Sequence, residues 1–395
     1  MSVAAIESAV RLALDAPPIE ASTTDETSST CEWVNAVRSW RPPVDLVDCD
    51  RPVDFVVRGL IQSGKVGALV AAGGTGKTTL LLTLGVCIAT GRRFMDFEVT
   101  QGTFVLLSND DPQGDLDVAL ARVVGAMKLS DGDIELVKCK VRVHSLQGLR
   151  GDKTFSASVG GTAVGTGLED LIVEAVRGIY DVRLLALDTL RQFSGGSSND
   201  EQVVKLTIGG ATEVASRTGA AVVIAHHTGK MNFRDGITDM YCGSGSAAIA
   251  DNARFVLLLQ STSWKDIELK VQRTGREAGD PLVLQSTRGS LLVRAPPPIF
   301  MHRDGFFLGR IAGTTLSHAQ MLDERDRAVL RAVRGGHQSK NSIATAVGGK
   351  RTSALDRIGD LEARGHLRNG SPNGSVARPQ YVLTASGAKF LDDLG

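Results

Sequence analysis

A chain of 395 residues with 42% hydrophobic residues can bury one large core and a smaller module, so we expect two domains. Lysine plus arginine and aspartate plus glutamate both number 44, so the overall charge offers nucleic acid no general attraction and leaves only local basic patches. The five cysteines form no C-x-x-C pair, and no apolar run has the length of a membrane span. We therefore expect a cytoplasmic protein with reduced thiols, no structural zinc site and no membrane partner.

The chain begins with a polar segment that lacks the pattern of a packed domain. A short apolar-periodic stretch is followed by the run ASTTDETSST, and neither has the apolar core of a signal peptide. This composition predicts a partly disordered N-terminal leader over residues 1–50.

Strand-like and helical patterns then alternate over residues 51–298. Such alternation is typical of an α/β domain with a mostly parallel twisted sheet flanked by helices. A stretch rich in glycine, serine and threonine, residues 149–167, predicts a mobile loop, and the prolines before residue 299 predict a linker over residues 299–316. The strand candidates are 66–70, 103–107, 184–187, 221–225 and 255–259.

The first strand candidate leads into the sequence AAGGTGKTT, which predicts a phosphate-binding loop. Backbone N–H groups at the glycines can converge on phosphate oxygens, Lys77 can meet the β- and γ-phosphates, and the Thr78 hydroxyl suits Mg²⁺. Ala71 departs from the pattern G-x-x-x-x-G-K-[ST], but the order strand, loop and helix favours a nucleotide site over an ordinary glycine turn. The predicted nucleotide-binding residues are Gly73, Gly74, Thr75, Gly76, Lys77, Thr78 and Thr79.

Acidic residues follow two further apolar strands. In LLALDTL, Asp188 is placed to hold Mg²⁺ together with Thr78, although an aspartate here could instead cap the following turn. In FVLLSNDDP, Asp110 is our candidate for the acid that orients an attacking water, and Asp111 is the alternative.

Histidine and arginine residues mark two more strand boundaries. His226 and His227 end the strand of AVVIAHHTGK, where they can contact the γ-phosphate or transmit its presence. Arg254 begins the last strand candidate, and it is either an ordinary ion-pair partner or an arginine finger that reaches a neighbouring subunit.

Five ordered motifs together resemble those of the RecA-like ATPases and, within them, the plasmid RepA-type hexameric replicative helicases. The resemblance covers residues 53–262 and rests on GALVAAGGTGKTTL, VLLSNDDP, LLALDTLRQF, VVIAHHTGK and SGSAAIADNARF. It implies ATP and Mg²⁺ as cofactors and self-association into a homo-hexameric ring.

The resemblance also implies roles for individual residues. ATP and Mg²⁺ would bind through Lys77, Thr78 and Asp188. Asp110 stands where the family usually has a catalytic glutamate, and the arginine finger would act in trans. The residues that match the family's histidine pair and finger are His226, His227 and Arg254.

The remaining residues, 317–395, predict a winged helix-turn-helix. Helical patterns at 323–333, 341–347 and 352–364 precede a two-stranded wing. The module would either bind DNA or dock a protein. In the DNA-binding form, phosphate contacts would come from Lys350, Arg351, Arg357, Arg368 and Arg378.

The function that we predict is an ATP-driven helicase or translocase on single-stranded DNA, acting in replication of a plasmid, phage or mobile element. DNA would be gripped by residues 191–201 and by residues 230–234, which include Lys230 and Arg234. The alternatives are a non-motor RecA-like switch that binds DNA to load, recombine or regulate, and a protein-binding ATPase.

Overall fold

The computed structural model describes residues 37, 39, 53–197, 200–227, 248–289, 296–349, 351–371 and 379–393. The chain divides into two compact units, Met1–Pro52 and Val53–Gly395. Apart from residues 37 and 39, the predicted leader lies outside the described residues. Among the helices that the structure describes, none is long and apolar enough to cross a membrane.

The described strands of the larger unit form one nine-stranded sheet with small two-stranded sheets beside it. In the large sheet the strand order is β14-β13-β12-β10-β3-β9-β8-β4-β5. Its strands are β3 (Val66–Ala71), β4 (Thr103–Ser108), β5 (Val141–Ser145), β8 (Val182–Asp188), β9 (Ala221–His227), β10 (Phe255–Ser261), β12 (Asp280–Gly289), β13 (Ile299–Asp304) and β14 (Phe307–Arg310). The small sheets contain β1 (Phe55–Val57), β2 (Ile61–Gln62), β6 (Ser156–Val159), β7 (Thr162–Gly165), β11 (Val271–Arg273), β15 (Gly313–Thr315), β16 (Leu367–Asn369) and β17 (Tyr381–Leu383).

From β10 to β5 all neighbouring strands are parallel, whereas β12, β13 and β14 extend the sheet antiparallel to β10. This confirms the predicted α/β class with a mostly parallel sheet flanked by helices. The described helices are α1 (Lys77–Thr90), α2 (Gln113–Ala126), α3 (Asp131–Lys140), α4 (Leu168–Arg177), α5 (Leu190–Phe193), α6 (Glu201–Thr218), α7 (Ala248–Asn252), α8 (Trp264–Glu268), α9 (His318–Arg334), α10 (Lys340–Val347), α11 (Arg351–Ala363) and α12 (Ala385–Asp393).

The central strands are continuous apolar runs because both faces of the sheet are covered. All six residues of β3 are buried, with Leu69 packed in one apolar layer and Ala68 and Val70 in the layer on the opposite face. Helix α1 packs in the first layer and α6 in the second. Burial on both faces of the sheet fixes the register of each strand, and therefore the position of its carboxyl end relative to its neighbours.

Helix α1 lies unusually close to the sheet. It begins after Gly76 and ends before Gly91, which both have left-handed backbone angles, with φ of 106° and 74°. Within the helix, Gly85 faces Phe104 of β4, and a Cβ atom on Gly85 would lie 2.3 Å from the Phe104 ring. The missing side chain therefore allows an approach that alanine would prevent.

The structure corrects the predicted linker. Residues 299–316 do not simply connect two domains, because β13 and β14 are strands of the large sheet and β15 pairs with β11. Ile299 and Met301 of β13 pack in one apolar cluster and Phe300 between them packs in another, so the start of this strand is covered on both faces. The predicted mobile loop at 149–167 likewise contains a hairpin, formed by β6 and β7.

The C-terminal residues build a core of their own. Helices α9, α10, α11 and α12 pack with the antiparallel pair β16 and β17 around buried side chains that include Ile343, Ile358 and Tyr381. Ser317 caps α9 by accepting from the backbone N–H of Gln320, whose side chain in turn accepts from the Ser317 backbone.

Candidate nucleotide site

The carboxyl ends of β3, β4, β8 and β9 meet at one edge of the sheet, because these strands are parallel. The loop after β3 enters α1, so the amino end of that helix faces the same edge. In open α/β sheets this edge is where ligands bind, and the positive end of a helix favours phosphate. The edge therefore brings together four of the segments that the sequence predicted to carry function.

Lys77 lies deep in the phosphate loop. Its Nζ atom donates to the carbonyl oxygens of Ala71 and Ala72, each at 3.3 Å, and the residue is only 7% exposed. Burial lowers the pKa of Lys77 from its usual value, while the carboxylates of Asp188 and Asp110 oppose that shift. The ammonium group is thus held at the loop by carbonyl oxygens and by the charge of nearby acids.

Thr78 and Asp188 form the expected pair for a divalent cation. The Thr78 hydroxyl donates to Oδ2 of Asp188 at 2.9 Å, and Asp188 is 2% exposed. Burial raises the pKa of Asp188 to about 6, although the Thr78 hydrogen bond and the charge of Lys77 act in the opposite direction. Mg²⁺ in phosphate-transfer sites is commonly held by one hydroxyl, one carboxylate, waters and phosphate oxygens, and this pair fits that donor set.

The two acids after β4 occupy different environments. Backbone N–H groups of Asp110 and Asp111 both donate to the buried Ser108 hydroxyl at 3.2 Å. The pKa of Asp111 is raised by burial first and then by the charges of Asp110 and Asp115. Asp110 is exposed, and its charge reaches both Lys77 and the histidine at the end of β9. The charge of Asp110 thus acts on Lys77 and on His227, while the charges of both Asp110 and Asp111 act on Asp188.

The two histidines lie in consecutive positions of β9 and face opposite sides of the sheet. His227 lies at the site, with its Nδ1 atom 3.1 Å from Nζ of Lys77. Burial lowers the pKa of His227 and the charge of Lys77 lowers it further, against the opposing charge of Asp110. A neutral imidazole can accept a hydrogen bond from Lys77 at Nδ1, and the ring's own hydrogen then lies on Nε2. Of the predicted pair, His227 is the residue that contacts Lys77. His226 is buried, with 3% of its surface exposed.

Arg254 lies where the amino ends of the parallel strands meet, opposite the candidate nucleotide site. It immediately precedes β10, and its backbone N–H donates to the carbonyl of Val66, the first residue of β3, at 2.7 Å. The phosphate loop follows the opposite end of β3, about 20 Å away for a strand of six residues. The exposed Arg254 side chain is therefore remote from the nucleotide site of its own subunit.

The sequence analysis missed Arg303, which also contacts the phosphate loop. This residue of β13 donates through one guanidinium nitrogen to the carbonyl of Gly74 at 2.8 Å and through the other to Asp280 at 2.8 Å. It lies 229 residues from Gly74 in the chain. The usable signal would have been the apolar triplet Ile299–Met301 that begins β13, which the assignment of this segment as a linker left unused.

The predicted DNA-contacting residues divide into three groups. Lys230, Arg234, Lys350 and Arg378 lie outside the described residues. Arg351 and Arg368 are exposed on α11 and β16, where Arg351 also donates to the Asn341 side chain.

The assignment of Arg357 to DNA needs correction. Its guanidinium makes two hydrogen bonds of 2.7 Å to the carboxylate of Asp326, which is 1% exposed, and Arg364 pairs with the same carboxylate. The charge of a buried aspartate has to be neutralised within the fold. Arg357 thus stabilises the C-terminal core and is not a free phosphate contact.

The match to a family model agrees with the class of this site. A family model described as an AAA domain matches residues 42–232. A solved structure described as an ATPase domain has a TM-score of 0.46 and 10% sequence identity, with 73% of this chain and 100% of that chain covered. The family match includes the phosphate loop, Asp110, Asp188 and His227, whereas Arg254 and Arg303 lie beyond it. The family match and the geometry together support a P-loop ATPase domain.

Proposed function

We propose that the chain binds ATP and Mg²⁺ and hydrolyses the γ-phosphate at the edge formed by β3, β4, β8 and β9. The observation that supports this most directly is the convergence of Lys77, Thr78, Asp188, His227 and Asp110 on one loop. When bound, Mg²⁺ would neutralise charge on the β- and γ-phosphates.

Each side chain then has a distinct task. Lys77 places a positive charge on the transferring phosphate, and Thr78 and Asp188 hold the cation. Asp110 orients the attacking water from the solvent-exposed side of the site. His227 accepts a hydrogen bond from Lys77, so movement of Lys77 toward a phosphate would be felt at the end of β9.

We further propose that hydrolysis drives a RepA-type ring along single-stranded DNA, in the replication of a plasmid, phage or mobile element. One contact favours a motor over a passive site. Gln192, in the predicted DNA-gripping segment, donates to Oδ1 of Asp110 at 3.4 Å, and its carbonyl accepts from the Asn109 side chain at 3.3 Å. A hydrogen bond thus links the candidate water-orienting acid to the segment of the chain that is predicted to grip DNA.

The same segment is hydrogen-bonded to the hairpin of β6 and β7 and to the residue before it. The Phe193 carbonyl accepts from the N–H of Phe155 at 2.8 Å, and the N–H of Gly195 donates to the Ser156 hydroxyl at 3.1 Å. A change at the catalytic edge would therefore displace a surface element as well as the segment itself. The C-terminal module would act as a winged helix that contacts DNA through Arg351 and Arg368.

The decisive experiment measures ATP hydrolysis by the full chain with and without single-stranded DNA, together with strand displacement on forked DNA. A motor should show DNA-stimulated hydrolysis and ATP-dependent unwinding, with binding that weakens as salt rises. Stimulation without unwinding would favour the DNA-binding switch. Hydrolysis that is indifferent to DNA would favour a protein-binding ATPase, and no hydrolysis at all would refute the proposal.

A further inference from the structure

Arg303 approaches the phosphate loop from outside the family-matched region. Its strand, β13, pairs antiparallel with β12, and the register places Arg303 directly opposite Asp280. This cross-strand ion pair holds the guanidinium at the sheet surface, with the side chain 24% exposed. The second guanidinium nitrogen is then aimed at the Gly74 carbonyl.

The contact leaves little room beside the loop. A Cβ atom on Gly76 would lie 3.2 Å from the guanidinium of Arg303. Gly76 therefore meets two requirements, its left-handed backbone and the close passage of an arginine. Gly74 and Gly76 of the loop thus both lie against the side chain of Arg303.

The peptide group that Arg303 contacts also takes part in the turn of the phosphate loop. The carbonyl of Gly74 and the N–H of Thr75 belong to the same peptide unit, and that N–H closes the turn of the phosphate loop by donating to the carbonyl of Ala72 at 3.3 Å. A cation on the carbonyl oxygen polarises the unit and makes its N–H a stronger donor. The same contact also restrains the loop before the ligand arrives, which lowers the entropy lost on binding.

We propose that Arg303 is a positioning residue for nucleotide binding, which acts through the Gly74–Thr75 peptide and is itself held by Asp280. This inference rests on the proposed ATPase function and extends it to a residue that no phosphate-loop pattern contains. Because Arg303 acts on the loop and not on the reacting atoms, it sets affinity for the nucleotide and leaves the chemical step unchanged.

The test compares Arg303→Ala and Arg303→Lys with wild type in the full chain, with a fluorescent ADP analogue for equilibrium binding and with steady-state ATP hydrolysis. Arg303→Ala should raise Kd and KM about tenfold, equivalent to about 1.4 kcal/mol, with kcat within about twofold of wild type. Arg303→Lys keeps a charge at the carbonyl and should recover most of the affinity. Asp280→Asn should weaken binding by a smaller factor, since it loosens Arg303 without removing it.

Arg310→Ala is the matched control, because Arg310 lies on the neighbouring strand β14 and pairs with Asp96. It should leave Kd unchanged. An unchanged Kd in Arg303→Ala would overturn the role of Arg303. Equal losses in kcat and in affinity that Arg303→Lys does not rescue would also overturn it. In either case, nucleotide binding by wild type would leave the proposed ATPase function standing. If Arg303→Ala does not fold, unchanged Kd in both Arg303→Lys and Asp280→Asn would overturn it. Absence of nucleotide binding by wild type would overturn both proposals.

Discussion

Among single residues, Lys77 has the largest expected effect on turnover, because its buried ammonium group lies where the transferring phosphate would bind. Lys77→Ala should reduce ATP hydrolysis at least about a hundredfold by removing this charge from the transition state. A phosphate-release assay on the full chain measures the effect. Lys65→Ala, at an exposed lysine just before β3, is the control and should retain wild-type turnover. Substantial turnover in Lys77→Ala would mean that the reaction occurs elsewhere.

Asp188 illustrates how a site residue can reduce stability. Its pKa of about 6 lies above the ordinary value of 3.8, because burial disfavours the charged form. The folded chain therefore holds this proton more tightly than the unfolded chain, so the free energy of unfolding falls as pH rises from about 4 to above 6. The difference corresponds to roughly 3 kcal/mol at most.

Asp188→Asn should accordingly stabilise the nucleotide-free protein at pH 7.5, and the gain should shrink to about a third of that value near pH 4.5. Asparagine can still accept the Thr78 hydrogen bond but carries no charge to bury. Urea unfolding at the two pH values, without nucleotide or Mg²⁺, measures the difference in the free energy of unfolding between the variant and wild type. Asp152→Asn, on an exposed loop, should show no such dependence. An equal effect of Asp188→Asn at both pH values would contradict the burial argument.

At the scale of elements, the C-terminal module depends on a charge cluster in its core. Arg357→Ala should lower the free energy of unfolding by about 3 kcal/mol, because Asp326 would remain buried with only Arg364 beside it. Arg351→Ala removes an exposed arginine from the same helix and should change stability by less than about 0.5 kcal/mol. Chemical denaturation of both variants decides the matter. A stable Arg357→Ala protein with weakened DNA binding would restore the original expectation for this residue.

The elements that the sequence predicted correctly are those with a strong local signal. Strands β3, β4, β8, β9 and β10 are apolar runs that adjoin residues predicted to carry function, and glycines with Lys77 mark the start of α1. The antiparallel extension was missed because a short apolar run such as the one that begins β13 resembles part of a linker when prolines precede it. Its pairing with β12 is a long-range choice that no local pattern encodes.

The same distinction separates the site residues. Asp188 could be placed because it ends a buried strand directly, whereas Arg303 contacts the loop only through the register of distant strands. Arg357 of α11 shows the converse error. A basic residue on a helix suggests a phosphate contact, but whether it is free depends on an acid such as Asp326 in another helix.

At the scale of the whole molecule, the position of Arg254 has the widest consequence. It lies at the amino edge of the sheet, one strand length from the phosphate loop of its own chain. An arginine finger at this position can complete a nucleotide site only in a neighbouring copy. Mass measurement with and without ATP and Mg²⁺ therefore tests the ring on which such a role depends.

Arg254→Ala should leave nucleotide binding intact and suppress turnover in the assembly. Mixing Arg254→Ala chains with Lys77→Ala chains should regain turnover that neither variant has alone, because an intact loop would then face an intact finger. Hydrolysis measured across mixing ratios, with each variant alone as its control, gives the answer. Absence of complementation between two folded, assembling variants would remove Arg254 from the reaction.

Gly85 gives the close approach of α1 to β4 a practical meaning for engineering. A propensity scale would recommend alanine at this interior helical position, with an expected gain of about 1 kcal/mol. In this fold the added methyl group would meet the Phe104 ring and push the helix away from the sheet. Because the phosphate loop is the amino end of that same helix, a substitution chosen for stability would redirect the catalytic loop more than two helical turns away.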